Sequence, residues 1–244
     1  MVSSKKKGDH WSNPKILNIS GRYQDIEPFL SMDKNRIYFA SNRPIYNDTS
    51  RSDYNIWFSN REGENWSQPE PLDSSINSKG NEFYPSLSSN GNLYFTATRN
   101  DGIGSEDIFM SNLVNGIYQT PRVLPRAINS STYEFNAFIS PDEQFIIFSS
   151  YGRKDGFGGG DLYISKKDAM GKWQEAKNLG PKINSNKLDY CPFVDSQKQF
   201  LYFTSERVNS KKDSIRSIEE LKLEANKIEN GFGNIYRIGF DLLK

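Results

Sequence analysis

Residues 82–88 read Glu-Phe-Tyr-Pro-Ser-Leu-Ser and run on into Asn92-Leu-Tyr-Phe, and the chain carries three further versions of this phrase. They are Asp25-Ile-Glu-Pro-Phe-Leu-Ser with Arg36-Ile-Tyr-Phe, Glu134-Phe-Asn-Ala-Phe-Ile-Ser with Phe145-Ile-Ile-Phe, and Asp189-Tyr-Cys-Pro-Phe-Val-Asp with Phe200-Leu-Tyr-Phe. The proline position falls at Pro28, Pro85, Ala137 and Pro192, a period of 57, 52 and 55 residues. A period of that length filled with short strands describes a small sheet that cannot bury its own faces and stacks on its neighbours.

The second half of each repeat is equally regular. A third strand follows at Asn55-Ile-Trp-Phe-Ser, Asp107-Ile-Phe-Met-Ser, Asp161-Leu-Tyr-Ile-Ser and Asn234-Ile-Tyr-Arg-Ile. A fourth is marked by aromatic-x-x-Pro-x-x-Leu from Trp66 to Leu72 and from Tyr118 to Leu124, with Ala176 in the proline place between Trp173 and Leu179. Proline is tolerated where a missing N–H faces solvent, which makes the fourth strand the outermost. The last repeat ends soon after its third strand, and Trp11-Ser-Asn-Pro14-Lys-Ile-Leu17 carries the missing fourth-strand pattern. The expectation is an all-β propeller of four blades, each of four antiparallel strands, closed by this N-terminal strand. Its blades span about 25–78, 79–130, 131–185 and 186–244 plus 11–20, so one domain covers 11–244 after a polar tail of residues 1–10.

Composition narrows the function. With 31 basic and 30 acidic residues interspersed, net charge is +1 and no nucleic-acid footprint appears. No apolar run approaches the length of a membrane span. Cys191 is the single cysteine, which excludes an internal disulfide and reads as a core thiol. His10 is the single histidine and lies in the tail, so serine-type triads and histidine metal sites have no material.

The repeat resembles the TolB-type, WD-like β-propeller repeat. The likeness rests on Pro-x-apolar-Ser, apolar-Tyr-Phe-x-Ser-x-Arg, Asp-Ile-aromatic-x-Ser and Gly-x-Trp-x-x-Pro-x-x-Leu, and it covers nearly the whole chain. It implies an exported protein, periplasmic or associated with the outer membrane, whose propeller is a monomeric platform for an envelope protein or glycan. TolB-like propellers commonly have six blades, and this chain departs by showing four.

Alternating strand directions place three repeated features on one face. The first is the acid three residues before the proline position: Asp25, Glu82, Glu134 and Asp189. A ring of four carboxylates suits a hard cation such as calcium; otherwise each acid accepts backbone N–H bonds or pairs with a base of the adjacent blade. The second is the arginine after the second strand, at Arg43, Arg99, Arg153 and Arg207, facing Asp107 and Asp161 in blades 2 and 3. Asn55 and Asn234 replace those acids in blades 1 and 4, which leaves Arg43 and Arg207 either available to an anionic ligand or neutralised by Asp53 and Glu206. The third is the second-to-third loop, with Asp101-Gly-Ile-Gly104 and Asp155-Gly-Phe-Gly-Gly-Gly160; its glycines read as tight turns needing positive φ.

Blade 4 breaks the repeat in that loop with an insertion, residues 208–232. Ser217-Ile-Glu-Glu220 is a capping box, Gly231 a helix stop, and Ile218, Leu221, Ala225 and Ile228 form one stripe to be buried on the propeller itself or, failing that, on a partner. Tyr46, Tyr54 and Phe232 are the rim aromatics of the same face. No nucleophile–base arrangement or cofactor motif stands out, so the chain reads as a non-catalytic binding module rather than an enzyme. The alternative is an exo-acting glycosidase of sialidase type: Ser59-x-x-x-Gly63-x-x-Trp66 is similar to the Asp-box turn of sialidases, though Arg61 stands at the aspartate, and four arginines imitate a cluster for a sugar carboxylate.

Overall fold

The computed structural model describes residues 1–8, 10–45, 48–195, 199–209 and 215–240. The fold is a β-propeller of four antiparallel blade sheets, carried in two compact units, Met1–Leu124 and Pro125–Lys244.

In the first unit, blade 1 runs Asp25–Leu30, Arg36–Ser41, Asn55–Glu62 and Glu70–Pro71, and blade 2 runs Glu82–Leu87, Leu93–Ala97, Asp107–Ser111 and Arg122–Val123. Their fourth strands are two residues long and pair outermost, Trp57 opposite Pro71 and Phe109 opposite Val123. In the second unit, blade 3 runs Tyr133–Ile139, Phe145–Tyr151, Asp161–Lys166 and Lys177–Asn178. Blade 4 has three strands among the described residues, Asp189–Val194, Phe200–Ser205 and Asn234–Gly239.

Each core is built by the apolar second and third strands. Phe95 and Phe109 stack at 6.0 Å between ring centres, Phe148 and Tyr163 at 6.1 Å, and Phe203 and Tyr236 at 5.7 Å. An asparagine then ties the fourth-to-first linker to the third strand. Asn77 accepts from the Ile56 N–H at 2.8 Å and donates to the Ile56 and Leu72 carbonyls, and Asn184 does the same with the N–H and carbonyl of Leu162.

Every first strand carries a bulge at the second residue past its acid. Glu27, Tyr84, Asn136 and Cys191 take φ of 56°, 48°, 51° and 51°, and the register with the second strand shifts there in all four blades. Cys191 is therefore a half-buried bulge residue, not the core thiol expected of it.

Two further expectations change. Lys15–Ile16 pairs with Val2–Ser3, and His10–Trp11 with Lys6–Lys7, whereas Asn234–Gly239 pairs, among the described residues, with Phe200–Ser205 alone. Residues 1–17 thus copy the third and fourth strands of blade 1. Val2 opposite Ile16 matches Trp57 opposite Pro71, Lys6 opposite Trp11 matches Arg61 opposite Trp66, and Leu17 N–H to the Met1 carbonyl matches Leu72 N–H to Ile56. The supposed tail supplies the strand that Trp11–Leu17 needs, so that segment has its partner within its own hairpin.

The second change is the insertion. Its helix, Ile218–Ala225, starts on Ser217, whose hydroxyl accepts from the Glu220 N–H, and ends on Asn226 well before Gly231. No helix residue is buried, and Ile218, Leu221 and Ile228 are all exposed. The stripe lies uncovered because a helix of two turns holds too little apolar surface to fix its own docking. No helix of the described residues is long and apolar enough to cross a membrane.

Candidate functional site

The repeated acid and the repeated arginine meet, within one blade rather than across the hairpin expected for them. Strand register sets the acid beside the residue that ends the second strand: Asp25 opposite Ser41, Glu134 opposite Ser150, Asp189 opposite Ser205. The arginine follows a few residues later and folds back over this pair. Arg43 reaches Asp25 at 2.5 Å, Arg153 reaches Glu134 at 3.0 Å and Arg207 reaches Asp189 at 3.2 Å, with all three carboxylates buried. The arginine Nε donates to Ser41, Ser150 or Ser205, and a terminal nitrogen donates to the carbonyl of Ile19, Ile128 or Ile183. The guanidinium carbon also lies over the core rings, 5.3 Å from Trp57, 4.8 Å from Tyr163 and 4.5 Å from Tyr236.

This arrangement corrects three expectations. Arg43 and Arg207 are paired, so neither waits for an anion. The basic partners of the first-strand acids are arginines of their own blades, not bases of a neighbour. Glu82, Glu134 and Asp189 do accept the expected backbone N–H bonds, from Ser78, Ser130 and Ser185. Asp107 and Asp161 instead hold their loops: Asp107 accepts from the N–H groups of Ile103 and Gly104 at 2.6 and 2.9 Å, and Asp161 from Phe157 at 2.6 Å. The loop glycines Gly102 and Gly156 serve this approach, since a Cβ would stand 2.3 and 2.8 Å from those carboxylates. Neither needs a positive φ.

Blade 2 is the exception. Ala97 stands where the other blades have serine, and Arg99 turns to Asp101 at 3.3 Å. Glu82 keeps one oxygen on the Ser78 N–H and hydroxyl, while its Oε2 is buried with no hydrogen bond. Burial pushes its carboxyl up to about 7, against the lowering pull of Ser78 and the Arg99 charge.

A cation fits this pattern poorly. Three of the four acids already carry a guanidinium, which leaves those three no net charge for calcium. The described residues hold no group of three or more histidine, cysteine or acid side chains placed to bind a metal.

Of the sequence candidates, Asp25 and Tyr54 come together at a pocket of about 650 Å³ beside the first strand of blade 1. Arg22, Tyr23, Gln24 and Asn42 also line it. The Tyr54 ring packs on Phe83 at 5.0 Å between centres, and its hydroxyl bonds the Gln24 side chain. The Gln24 N–H donates to Asn42 Oδ1 at 3.0 Å, so the backbone sets the Asn42 amide and the Tyr54 hydroxyl sets the Gln24 amide. Phe232 is 68% exposed in the blade 4 insertion, and Tyr46 lies outside the described residues. The serines that anchor the arginines went unassigned in the sequence reading, although the Phe-x-Ser-x-Arg pattern contains two of them.

No protein-family model and no curated protein sequence matches the chain. Among solved structures, TolB from Acinetobacter baumannii is similar over 79% of this chain and 40% of its own, with a TM-score of 0.50 and 13% identity. The NanB sialidase from Streptococcus pneumoniae matches over 84% of this chain and 32% of its own, with a TM-score of 0.48 and 13% identity. The GH62 α-L-arabinofuranosidase catalytic domain of Coprinopsis cinerea gives 78%, 62%, 0.47 and 12% for the same measures. The chain therefore spans less than two thirds of the length of each. At these identities the likeness to TolB concerns the fold alone.

Proposed function

We propose that the chain is a non-catalytic binding module of a bacterial cell envelope that takes a glycan segment at the pocket beside Asp25 and Tyr54. The observation that carries this reading is the pocket's chemistry. Its acid, Asp25, is already neutralised by Arg43 and hydrogen-bonded to Ser20 and Ser41, so it supports no acid–base or nucleophilic step. What remains is a phenol, an aromatic wall and two oriented amides, groups that recognise hydroxyls without reacting with them. The envelope setting is what the family resemblance implies.

A glycosidase of sialidase type is compatible with a propeller fold. It needs arginines free to hold a sugar carboxylate, and Arg43, Arg153 and Arg207 are each engaged within their own blade.

Calorimetric titration with soluble bacterial cell-wall glycan fragments tests the proposal. Saturable binding is expected, weakened at least tenfold by Tyr54→Ala, with the fragments recovered intact. Absence of binding, or turnover of the fragments, would refute it.

A further inference from the structure

Tyr54 belongs to the loop before the third strand of blade 1, yet three consecutive residues of blade 2 hold it. Its N–H donates to Asn81 Oδ1 at 2.9 Å, its carbonyl accepts from the Glu82 N–H at 2.8 Å, and its ring packs on Phe83. The Glu82 side chain opens a second path to the same loop. Its Oε1 accepts from the Ser78 N–H and hydroxyl, and the Ser78 carbonyl accepts from Arg51 at 2.6 Å. Arg51 in turn forks onto Asp53, the residue before Tyr54. Every one of these ties leads back to residues 78–83.

Glu82 is the weak member of that frame. The equivalent acids Asp25, Glu134 and Asp189 each carry an arginine and a serine hydroxyl at the end of the second strand. In blade 2, Arg99 is drawn to Asp101 and Ala97 has no hydroxyl to offer. Glu82 Oε2 is left buried without a hydrogen bond. A neutral carboxyl sits there at modest cost, whereas a carboxylate lacking partners on one oxygen is strongly disfavoured.

The charges acting on Glu82 come from both blades. Arg99 of its own blade favours the anion and Asp53 of the blade 1 loop opposes it, while Arg51 is engaged by Asp53. Burial outweighs Ser78 and Arg99 and holds the carboxyl up at about 7. The relief open to the anion is movement toward water, and the residues that move with it are those that grip Tyr54.

We infer that Glu82 is a positioning residue of the pocket beside Asp25: uncharged, it seats Tyr54 for the ligand, and ionised, it lets Tyr54 go. The inference rests on the glycan reading only for the identity of that ligand. Linkage makes the effect reciprocal, so a ligand that needs Tyr54 seated favours the protonated Glu82 by the same factor.

Two measurements on the full chain keep the two readings apart. In a nuclear magnetic resonance titration without ligand, from about pH 5 to about pH 9, the Tyr54 ring signals and the Glu82 carboxyl carbon should change with one midpoint. The Tyr151 ring signals of blade 3 should not follow, and in Glu82→Gln the Tyr54 signals should stay still. In calorimetric titration with soluble cell-wall glycan fragments, affinity should fall about tenfold across the same range, and Glu82→Gln should flatten that profile. Tyr54 signals that ignore the Glu82 midpoint, or a Glu82→Gln profile as steep as that of the unaltered chain, would overturn the inference. If the fragments bind at no pH, the glycan reading falls, and a midpoint shared by Tyr54 and Glu82 still upholds the positioning role.

Discussion

Blades 2 and 3 carry the same acid and the same arginine, yet only blade 3 joins them. In blade 3, Ser150 stands between Glu134 and Arg153, and the Tyr163 hydroxyl occupies Asp155 at 2.9 Å. In blade 2 both helpers are lost. Ala97 offers no hydroxyl to the arginine, and Phe109, in place of Tyr163, leaves Asp101 open to Arg99. Two missing oxygens redirect one guanidinium and strand Glu82. The pairing thus depends on neighbours that position the charges, as expected where the isolated Coulomb gain barely offsets desolvation.

The sharpest way to break the comparison is to remove the arginine from the blade that uses it. Arg153→Met leaves the buried Glu134 with its serine hydrogen bonds but no counter-charge, and urea unfolding at pH 8 should show a loss of about 3 kcal/mol. Next in size is the pH dependence of blade 2. Glu82 has a folded value near 7, above its unfolded 4.5, so the native chain binds the extra proton between those limits. Stability from this residue therefore falls as pH rises from about 4.5 to about 7 and is level above, a change on the order of 3 kcal/mol. Glu82→Gln should flatten that part of the stability profile; an unchanged slope would show that Glu82 is ionised throughout.

A smaller effect comes from rebuilding blade 2 on the pattern of blade 3. Ala97→Ser with Phe109→Tyr restores both hydroxyls, and is expected to stabilise the chain at pH 8 by about 1–2 kcal/mol. The Glu82 carbon signal should then titrate at lower pH. The smallest effect belongs to Arg99→Met, because Asp101 is half exposed and such pairs contribute less than about 1 kcal/mol. A loss there as large as for Arg153→Met would erase the distinction between the two blades.

The blades themselves were legible from Pro28, Pro85, Ala137 and Pro192 and from the aromatic third strands. The arginine partners were not, because the reading looked across the second-to-third hairpin. Register decides instead: Asp25 opposite Ser41 brings the acid to the turn from which Arg43 returns. The N-terminal hairpin was present in the sequence as Ser4-x-x-x-Gly8-x-x-Trp11, a copy of Ser59-x-x-x-Gly63-x-x-Trp66. It escaped notice because Val2-Ser3 lacks the aromatic pair that Trp57-Phe58 supplies. The pocket beside Tyr54 was partly visible, as Asp25 and Tyr54 were named, but Gln24 and Asn42 belong to no pattern.

The bulged position two residues past each acid separates backbone from chemistry. Glu27, Tyr84, Asn136 and Cys191 share one left-handed bend, so a carboxylate, a phenol, an amide and a thiol occupy equivalent sockets. The left-handed region is closed to proline, whose φ is fixed near −65°, and is costliest for side chains that branch at Cβ. Where these side chains reach the next bulge, as Glu27 does in accepting from the Tyr84 N–H at 2.8 Å and Asn136 in accepting from the Cys191 thiol at 3.6 Å, a change of chemistry at one blade is felt at its neighbour.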